Sequence, residues 1–225
     1  MLPKERKKKQ EARSMKKKIQ SMKHEVRKKN KCITRKIILA SASPRRAKLL
    51  KQIGLKFKVI NPQINENLII RKFKKYGIKK LVKLLSFAKA LWVSLNTPLN
   101  GNEIIAGFDT IIQCGKKIIG KPKNVKDALN ILLFLSNKEH RVYTGIGLID
   151  LKKKTIVFDL EVTRVYMKKI SKQEANAYIK TKEPLDKAGA YAIQGRGKKF
   201  IKRISGDYFN VIGLPLKRFL SMISV

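Results

Sequence analysis

The chain has 225 residues, 43% of them hydrophobic, enough for one domain with a proper core and too many for a disordered polymer. Its 54 Lys and Arg against 15 Asp and Glu give a formal charge of +39, the outlying feature of the composition. Cys32 and Cys114 are too few for a disulfide framework and lack metal-site spacing, so a reducing, cytoplasmic setting is expected; two histidines exclude a His-rich metal centre.

Residues 1–36 hold 16 of the basic and three of the acidic residues, yet the remainder still carries 38 against 12. A dedicated nucleic-acid patch would gather its charge on one stripe or arm. Here the excess runs through almost every segment and reads as a general lysine drift, with weak, salt-sensitive nucleic-acid adhesion as a by-product. Residues 1–35 are low in complexity and nearly free of aromatic or periodic apolar residues. They read as a basic, flexible or fraying helical extension with no catalytic role, an RNA-binding arm being the second reading, and they lack the apolar core of a secretory signal. The domain proper is 36–225, and no apolar run in it approaches the length of a membrane span.

Within that domain, Ile37-Ile38-Leu39 reads as a buried strand ending in Ala40-Ser41-Ala42-Ser43-Pro44-Arg45-Arg46. Ser43 is placed to cap a helix over 44–53 with Pro44 at its first position, closed by Gly54. Two hydroxyls, the amides of a helix N-terminus and two guanidinium groups then converge, a set suited to a phosphate chain. Residues 55–60 read as a strand and 63–67 as a polar loop with one carboxylate, Glu66. Residues 79–96 carry Leu81, Leu84, Leu85, Ala88, Leu91, Trp92 and Leu95 at helical spacing, with Lys89 at the stripe's edge, where lysines commonly snorkel to solvent.

Residues 103–113 read as a central strand interrupted by Asp109-Thr110, and a carboxylate there must be paired, hydrogen-bonded or metal-bound. A turn at Gly115-Lys116 leads through Ile118-Ile119 to Gly120-Lys121-Pro122. A helix follows over 125–136, then two long strands, 140–151 and 155–169, joined by Lys152-Lys153-Lys154, and a helix over 172–180. Glu183-Pro184-Leu185-Asp186-Lys187-Ala188-Gly189 is too rich in turn residues for a helix. A short strand at Phe200-Ile201 and a terminal helix close the chain. His140 fits a packing role. The irregular alternation predicts a mixed-sheet α/β domain with flanking helices.

Acidic residues are scarce, yet Glu66, Asp109, Glu183, Asp186 and Asp207 all fall beside turn or strand residues where solubility does not require them. Ser41-Ala42-Ser43-Pro44-Arg45-Arg46, Phe108-Asp109-Thr110, Gly120-Lys121-Pro122, Glu183 to Gly189, Ile193-Gln194-Gly195 and Asn210-Val211-Ile212-Gly213-Leu214-Pro215 occur in that order. This pattern, over about 36–223, resembles the Maf (septum formation inhibitor) family of nucleoside triphosphate pyrophosphatases.

The resemblance implies a mixed sheet in two lobes around a cleft, often in a homodimer. It also implies metal-dependent hydrolysis of a nucleotide between the α and β phosphates to a monophosphate and pyrophosphate. By the same resemblance, Asp109 would activate water, and Glu66 with Asp109 would hold Mg²⁺ or Mn²⁺. Ser41, Arg45, Arg46, Lys89 and Lys121 would neutralise the triphosphate. Asp186 and Lys187 would form an ion pair at the Gly189 turn or touch substrate. Ile193-Gln194-Gly195 is similar to the branch acting on dTTP and UTP, in which Gln194 and Thr110 would read the pyrimidine edge. A 7-methyl-GTP pyrophosphatase of the same family and a basic nucleic-acid-binding protein are the alternatives. Phe108 stands where the family commonly has Ala and is expected to crowd the aspartate.

Overall fold

The computed structural model describes residues 3–30 and 35–224. Its centre is a mixed seven-stranded sheet of β1 (Lys36–Ala40), β2 (Phe57–Ile60), β3 (Glu103–Cys114), β4 (Lys117–Ile119), β5 (Glu139–Asp150), β6 (Thr155–Met167) and β7 (Ile201–Ser205). The order is β2-β1-β3-β5-β6-β7, with β4 attached to β3. β1 runs parallel to both its neighbours and the remaining pairs are antiparallel. Burial on both faces explains why β1 is a continuous apolar run.

Alternate residues of the central strands feed opposite faces. Ile38, Ala40, Ile105 and Ile149 pack on one face beneath the long helix α4 (Ile78–Asn96). α4 lies unusually close to the sheet because three glycines face it. A Cβ on Gly107 would stand 2.1 Å from the Ser86 carbonyl oxygen, and one on Gly145 2.3 Å from that of Val82. Gly147 has the Phe87 backbone at 2.8 Å in the same sense. Any side chain there would lift the helix off the sheet.

The other face takes Ile37, Leu39, Ile104, Ala106, Phe108 and Ile146 against α2 (Pro44–Gln52), α7 (Tyr208–Ile212) and α8 (Leu216–Met222). Phe108 is fully buried there, edge-on to Phe219 at 5.2 Å between ring centres. Strand alternation sends it away from Asp109, so it does not crowd the carboxylate as the sequence suggested. α5 (Val125–Leu135) and α6 (Lys172–Ile179) cover the far half of the sheet through Ala128, Leu132, Leu135, Ala175 and Tyr178.

β3 changes partners midway, and this leaves a fork in the sheet. β1 flanks it from Glu103 to Gly107, β4 from Ile112 to Cys114, and neither strand covers Phe108–Ile111 on that side. Asp109 and Thr110 stand in this fork.

Two segments differ from the sequence reading. Residues 63–67 are not all loop: α3 (Glu66–Phe73) begins at Glu66, capped by Asn65, whose Oδ1 accepts from the Leu68 amide at 3.0 Å. The helical option for the N-terminal extension is the one seen, as α1 (Pro3–Asn30), and what differs is that it carries a periodic apolar stripe. Met15, Ile19, Met22 and Val26 recur at steps of four, three and four, and they pack against the core face of α7 and α8, Val26 at 1% exposure. That sparse stripe is the periodicity the sequence reading passed over among the lysines. Cys32 lies outside the described residues; Cys114 is buried with a free thiol.

Candidate active site

The sharp turn after β1 brings α2 to the fork with its N-terminal residues facing β3. Ser43 occupies the cap position of α2 but makes no side-chain cap bond. Instead Ser41 Oγ accepts from the Ser43 amide at 3.2 Å and from Arg46 Nη1 at 2.8 Å. The second hydrogen of Arg46 Nη1 goes to the Phe108 carbonyl at 3.0 Å, a strand oxygen left open by the fork. Arg46 Nε donates to the Gly213 carbonyl at 2.7 Å and Nη2 to Thr110 Oγ1 at 3.1 Å. Four of the five guanidinium hydrogens are therefore engaged inside the protein. Burial, opposed by the charge of Asp109 and aided by that of Arg45, pushes Arg46 down to about 10, so it stays charged at neutral pH. Arg46 is a keystone joining β1, β3 and the turn after α7, with one hydrogen left for a ligand.

Thr110 belongs to the same network. Its hydroxyl lies 3.0 Å from Thr144 Oγ1, which donates to the Asn210 carbonyl at 3.3 Å. Thr110 therefore donates to Thr144 while accepting from Arg46. Asn210, completely buried, holds the Val142 carbonyl and Thr163 Oγ1 at 3.0 Å each. The single hydrogen of the Thr110 hydroxyl is thus held by Thr144, and Arg46 takes one of its two lone pairs.

Asp109 faces α4, and Lys89 meets it there. Lys89 Nζ stands 2.5 Å from Asp109 Oδ1 and 2.8 Å from Glu66 Oε1. Lys89 and Asp109 side chains are only 9% and 10% exposed, so this lysine does not snorkel. The close approach of α4 over Gly107 lets its side chain reach the strand. Glu66, 46% exposed at the start of α3, completes the set from the open side. Burial alone would raise the Glu66 carboxyl; the charge and hydrogen bond of Lys89, then Lys121 and Arg46, outweigh it and hold it below the usual range. Lys121 is thus within electrostatic reach of the set. Two carboxylates share one cation, and the third hydrogen of that ammonium is unassigned.

On the rim, Arg45 Nη1 bonds Asp186 Oδ2 at 3.1 Å, and Lys187 Nζ bonds the other oxygen of the same carboxylate. Lys187 also donates to the Glu183 carbonyl at 2.6 Å. The Gly189 amide bonds the Gly120 carbonyl at 3.0 Å, so the turn after Lys187 is tied beside Lys121. Gln194 is exposed on the turn that follows.

Glu183 was singled out in the sequence without a role, and the structure gives it one. Its carboxylate accepts from Tyr178 Oη at 2.8 Å, the Arg196 amide at 3.0 Å and the Gly197 amide at 3.3 Å. Tyr178 Oη in turn accepts from the Ala192 amide at 3.0 Å. A Cβ on Gly195 would fall 2.3 Å from Glu183 Oε1, so only glycine lets the loop close on the carboxylate. The loop bearing Gln194 is clamped on both sides. Glu183→Gln, which sets an NH₂ against backbone amides, is expected to raise the nucleotide KM about tenfold with little change in kcat, as one lost charged hydrogen bond would. Steady-state kinetics check this; an unchanged KM counts against the clamp.

His140 is buried, with Nε2 2.7 Å from Tyr191 Oη, and burial pushes it down to about 4, so it is neutral and structural. Asp207 caps α7 by accepting the Phe209 amide at 2.8 Å.

Comparison with known proteins gives the context for this arrangement. The model of the family described as Maf-like protein matches residues 36–225. The chain is 45% identical over 182 residues to the dTTP/UTP pyrophosphatase of Alkaliphilus oremlandii, covering 81% of this chain and 91% of that protein. It is 44% identical over 187 residues to the dTTP/UTP pyrophosphatase of Thermosipho melanesiensis, covering 83% and 96%. Against the protein of the same name from Acetivibrio thermocellus it is 43% identical over 192 residues, covering 84% and 94%. Matched by that family model over residues 36–225 and 43–45% identical to these relatives over most of its length, this chain belongs to the Maf-like proteins.

Proposed function

We propose that the chain is a nucleoside triphosphate pyrophosphatase that cleaves dTTP and UTP between the α and β phosphates, releasing a monophosphate and pyrophosphate. The observation that carries this reading is the convergence of Asp109 and Glu66 on Lys89 in the fork of the sheet, beside a helix N-terminus rich in arginine. The names and extents of the relatives support the substrate class.

Asp109 is the proposed base for the attacking water. Arg45, Lys89 and Lys121 would meet the phosphate oxygens as charge moves onto the leaving pyrophosphate. Ser41 and Arg46 would shape that cradle, Arg46 offering its one open hydrogen. Asp186 and Lys187 would steady Arg45 from the rim.

Among the described residues, no three His, Cys, Asp or Glu side chains gather around a point. Two carboxylates already sharing one cation nevertheless fit Mg²⁺ or Mn²⁺, which take one or two protein carboxylates and complete their shell with phosphate oxygens and water. Glu66 and Asp109 would hold it. When bound, such an ion lowers the pKa of its water and neutralises phosphate charge. A cytoplasmic setting goes with a nucleotide substrate. Among the described residues no helix is long and apolar enough to cross a membrane. A homodimer is part of the same reading, supported by the exposed Ile156, Val157 and Phe158 on β6.

The test is pyrophosphate release from a nucleotide panel with Mg²⁺, Mn²⁺ or a chelator. Metal-dependent cleavage of dTTP and UTP is expected. Cleavage of 7-methyl-GTP alone would keep the reaction and discard the branch, and no turnover by folded protein would refute the reading. Gln194 would read the pyrimidine edge, with Thr110 able to contribute only as an acceptor because its hydrogen goes to Thr144. Gln194→Ala should lower the preference for dTTP over other triphosphates at least tenfold while leaving pyrophosphate inhibition unchanged. An unaltered substrate ranking would rule this out.

A further inference from the structure

We propose that α1 is a nucleic-acid-binding element that holds the enzyme on the phosphodiester backbone of DNA or RNA. The family match begins at residue 36, and the relatives are matched over 91–96% of their own lengths, so α1 is an addition to a complete catalytic domain. It carries 13 Lys or Arg and three Glu in 28 residues.

Among its described side chains, the helix packs its apolar residues through one face. Met15, Ile19, Met22 and Val26 lie against α7 and α8. Tyr208 Oη reaches Met15 Sδ at 3.6 Å, and Lys18 Nζ sits 5.6 Å from the centre of the Tyr208 ring. At 100° per residue this stripe fixes which side chains face outward. Arg13, Lys17, Gln20, Ser21 and His24 lie opposite the stripe and Lys16 and Arg27 toward its flanks, all exposed. Lys17, Gln20, Ser21, Lys23, His24 and Arg27 line a shallow hollow of about 350 Å³ along this face. Residues 13–27 extend over about 21 Å, long enough to follow a phosphate strand across several charges.

Charge complementarity selects a polyanion, and the docking of α1 selects among polyanions. A basic helix that lies on a membrane inserts its apolar face, and here that face is already buried against α7 and α8. A phosphate backbone needs only the outward cations. The outward face between residues 13 and 27 has no Phe, Tyr or Trp to stack on bases, so binding is without sequence preference.

This differs from adhesion by the overall charge, because it assigns the contacts to one helix face. The experiment compares three full-length proteins by fluorescence anisotropy with a duplex DNA and a single-stranded RNA of mixed sequence, across 50–300 mM salt. The first is unchanged. The second carries Arg13→Gln, Lys16→Gln, Lys17→Gln and Arg27→Gln. The third removes the same charge elsewhere by Lys152→Gln, Lys154→Gln, Lys172→Gln and Lys180→Gln. Gln keeps helix propensity close to that of Lys and Arg, and all eight residues are exposed, so folding should survive.

The α1 variant should lose about 100-fold or more in duplex affinity near 100 mM salt, and its log–log salt slope should shrink by about 2 to 4. The control should change by only a few-fold, and dTTP hydrolysis should be the same in all three. Equal losses in both variants would assign binding to diffuse charge and overturn the proposal, as would no loss in the α1 variant. If the α1 substitutions weaken binding to phosphatidylserine vesicles more than to either nucleic acid, the partner is a membrane and the proposal falls.

Discussion

Asp109→Asn should abolish turnover while leaving the molecule folded. The substitution keeps the shape of the side chain and an oxygen for Lys89, but removes the group able to take a proton from water and one of two negative charges for a divalent cation. Losing a positioned base alone lowers kcat by about 10² to 10⁴. Weaker metal capture adds to that, so a fall of about 10³ or more in pyrophosphate release is expected. Stability should move little. Lys89 retains Glu66 as a partner at 2.8 Å, so its ammonium is not left alone in the fork. A melting temperature within a few degrees of the unchanged protein, with turnover lost, separates a chemical role from a structural one. Near-normal turnover would remove Asp109 from the mechanism.

This prediction depends on a geometry the sequence showed only in part. That Asp109 interrupts an apolar strand is visible in the sequence, because Asp109-Thr110 breaks an apolar run between Phe108 and Ile111. That its partner would be Lys89 is not, because the pairing needs the distance between α4 and the sheet. Three glycines set that distance, and they lie on β3 and β5, remote in sequence from the lysine. Read along its own helix, Lys89 sits at the margin of an apolar stripe and resembles any lysine reaching for water. Tertiary proximity reverses that reading.

The same reason explains the other differences. The hydrophobic periods of β3, β5, α4 and α5 were strong and local, and those elements stand within one or two residues of expectation. α3 was missed because its stripe is short: Ile69 and Ile70 are half-buried and none of its residues fully so. The apolar stripe of α1 is hidden in the sequence because Met15, Ile19, Met22 and Val26 stand among thirteen cations and hardly alter its mean hydropathy. Their register carries the information, and it becomes meaningful only when α7 and α8 supply a surface. The motif residues themselves were legible as types. What the sequence did not separate was Arg45 from Arg46, neighbours of identical chemistry.

The structure does separate them, and the second large effect follows. Arg46→Lys should unfold the site, whereas Arg45→Lys should only weaken it. An ammonium has three hydrogens on one atom and no planar fork, so it cannot satisfy Ser41 Oγ, the Phe108 and Gly213 carbonyls and Thr110 Oγ1, which Arg46 reaches through three separate nitrogens. By count at least one acceptor loses its donor, and because one nitrogen cannot stand at three positions two are expected to, each costing about 1–3 kcal/mol. The strand carbonyl of Phe108 would be among them, open at the point where β1 has ended and β4 has not begun. A loss of about 3–5 kcal/mol is expected, or on the order of 10 °C in melting temperature for a chain of this size. Arg45 is more exposed and shares one hydrogen bond with Asp186, itself largely in solvent. Its conversion to Lys should cost less than about 1 kcal/mol and appear instead as a higher KM for triphosphates. Thermal melts and kinetics on the two single variants distinguish the roles. If Arg46→Lys melts like the unchanged protein and alters only KM, Arg46 is a phosphate ligand and the keystone assignment is wrong.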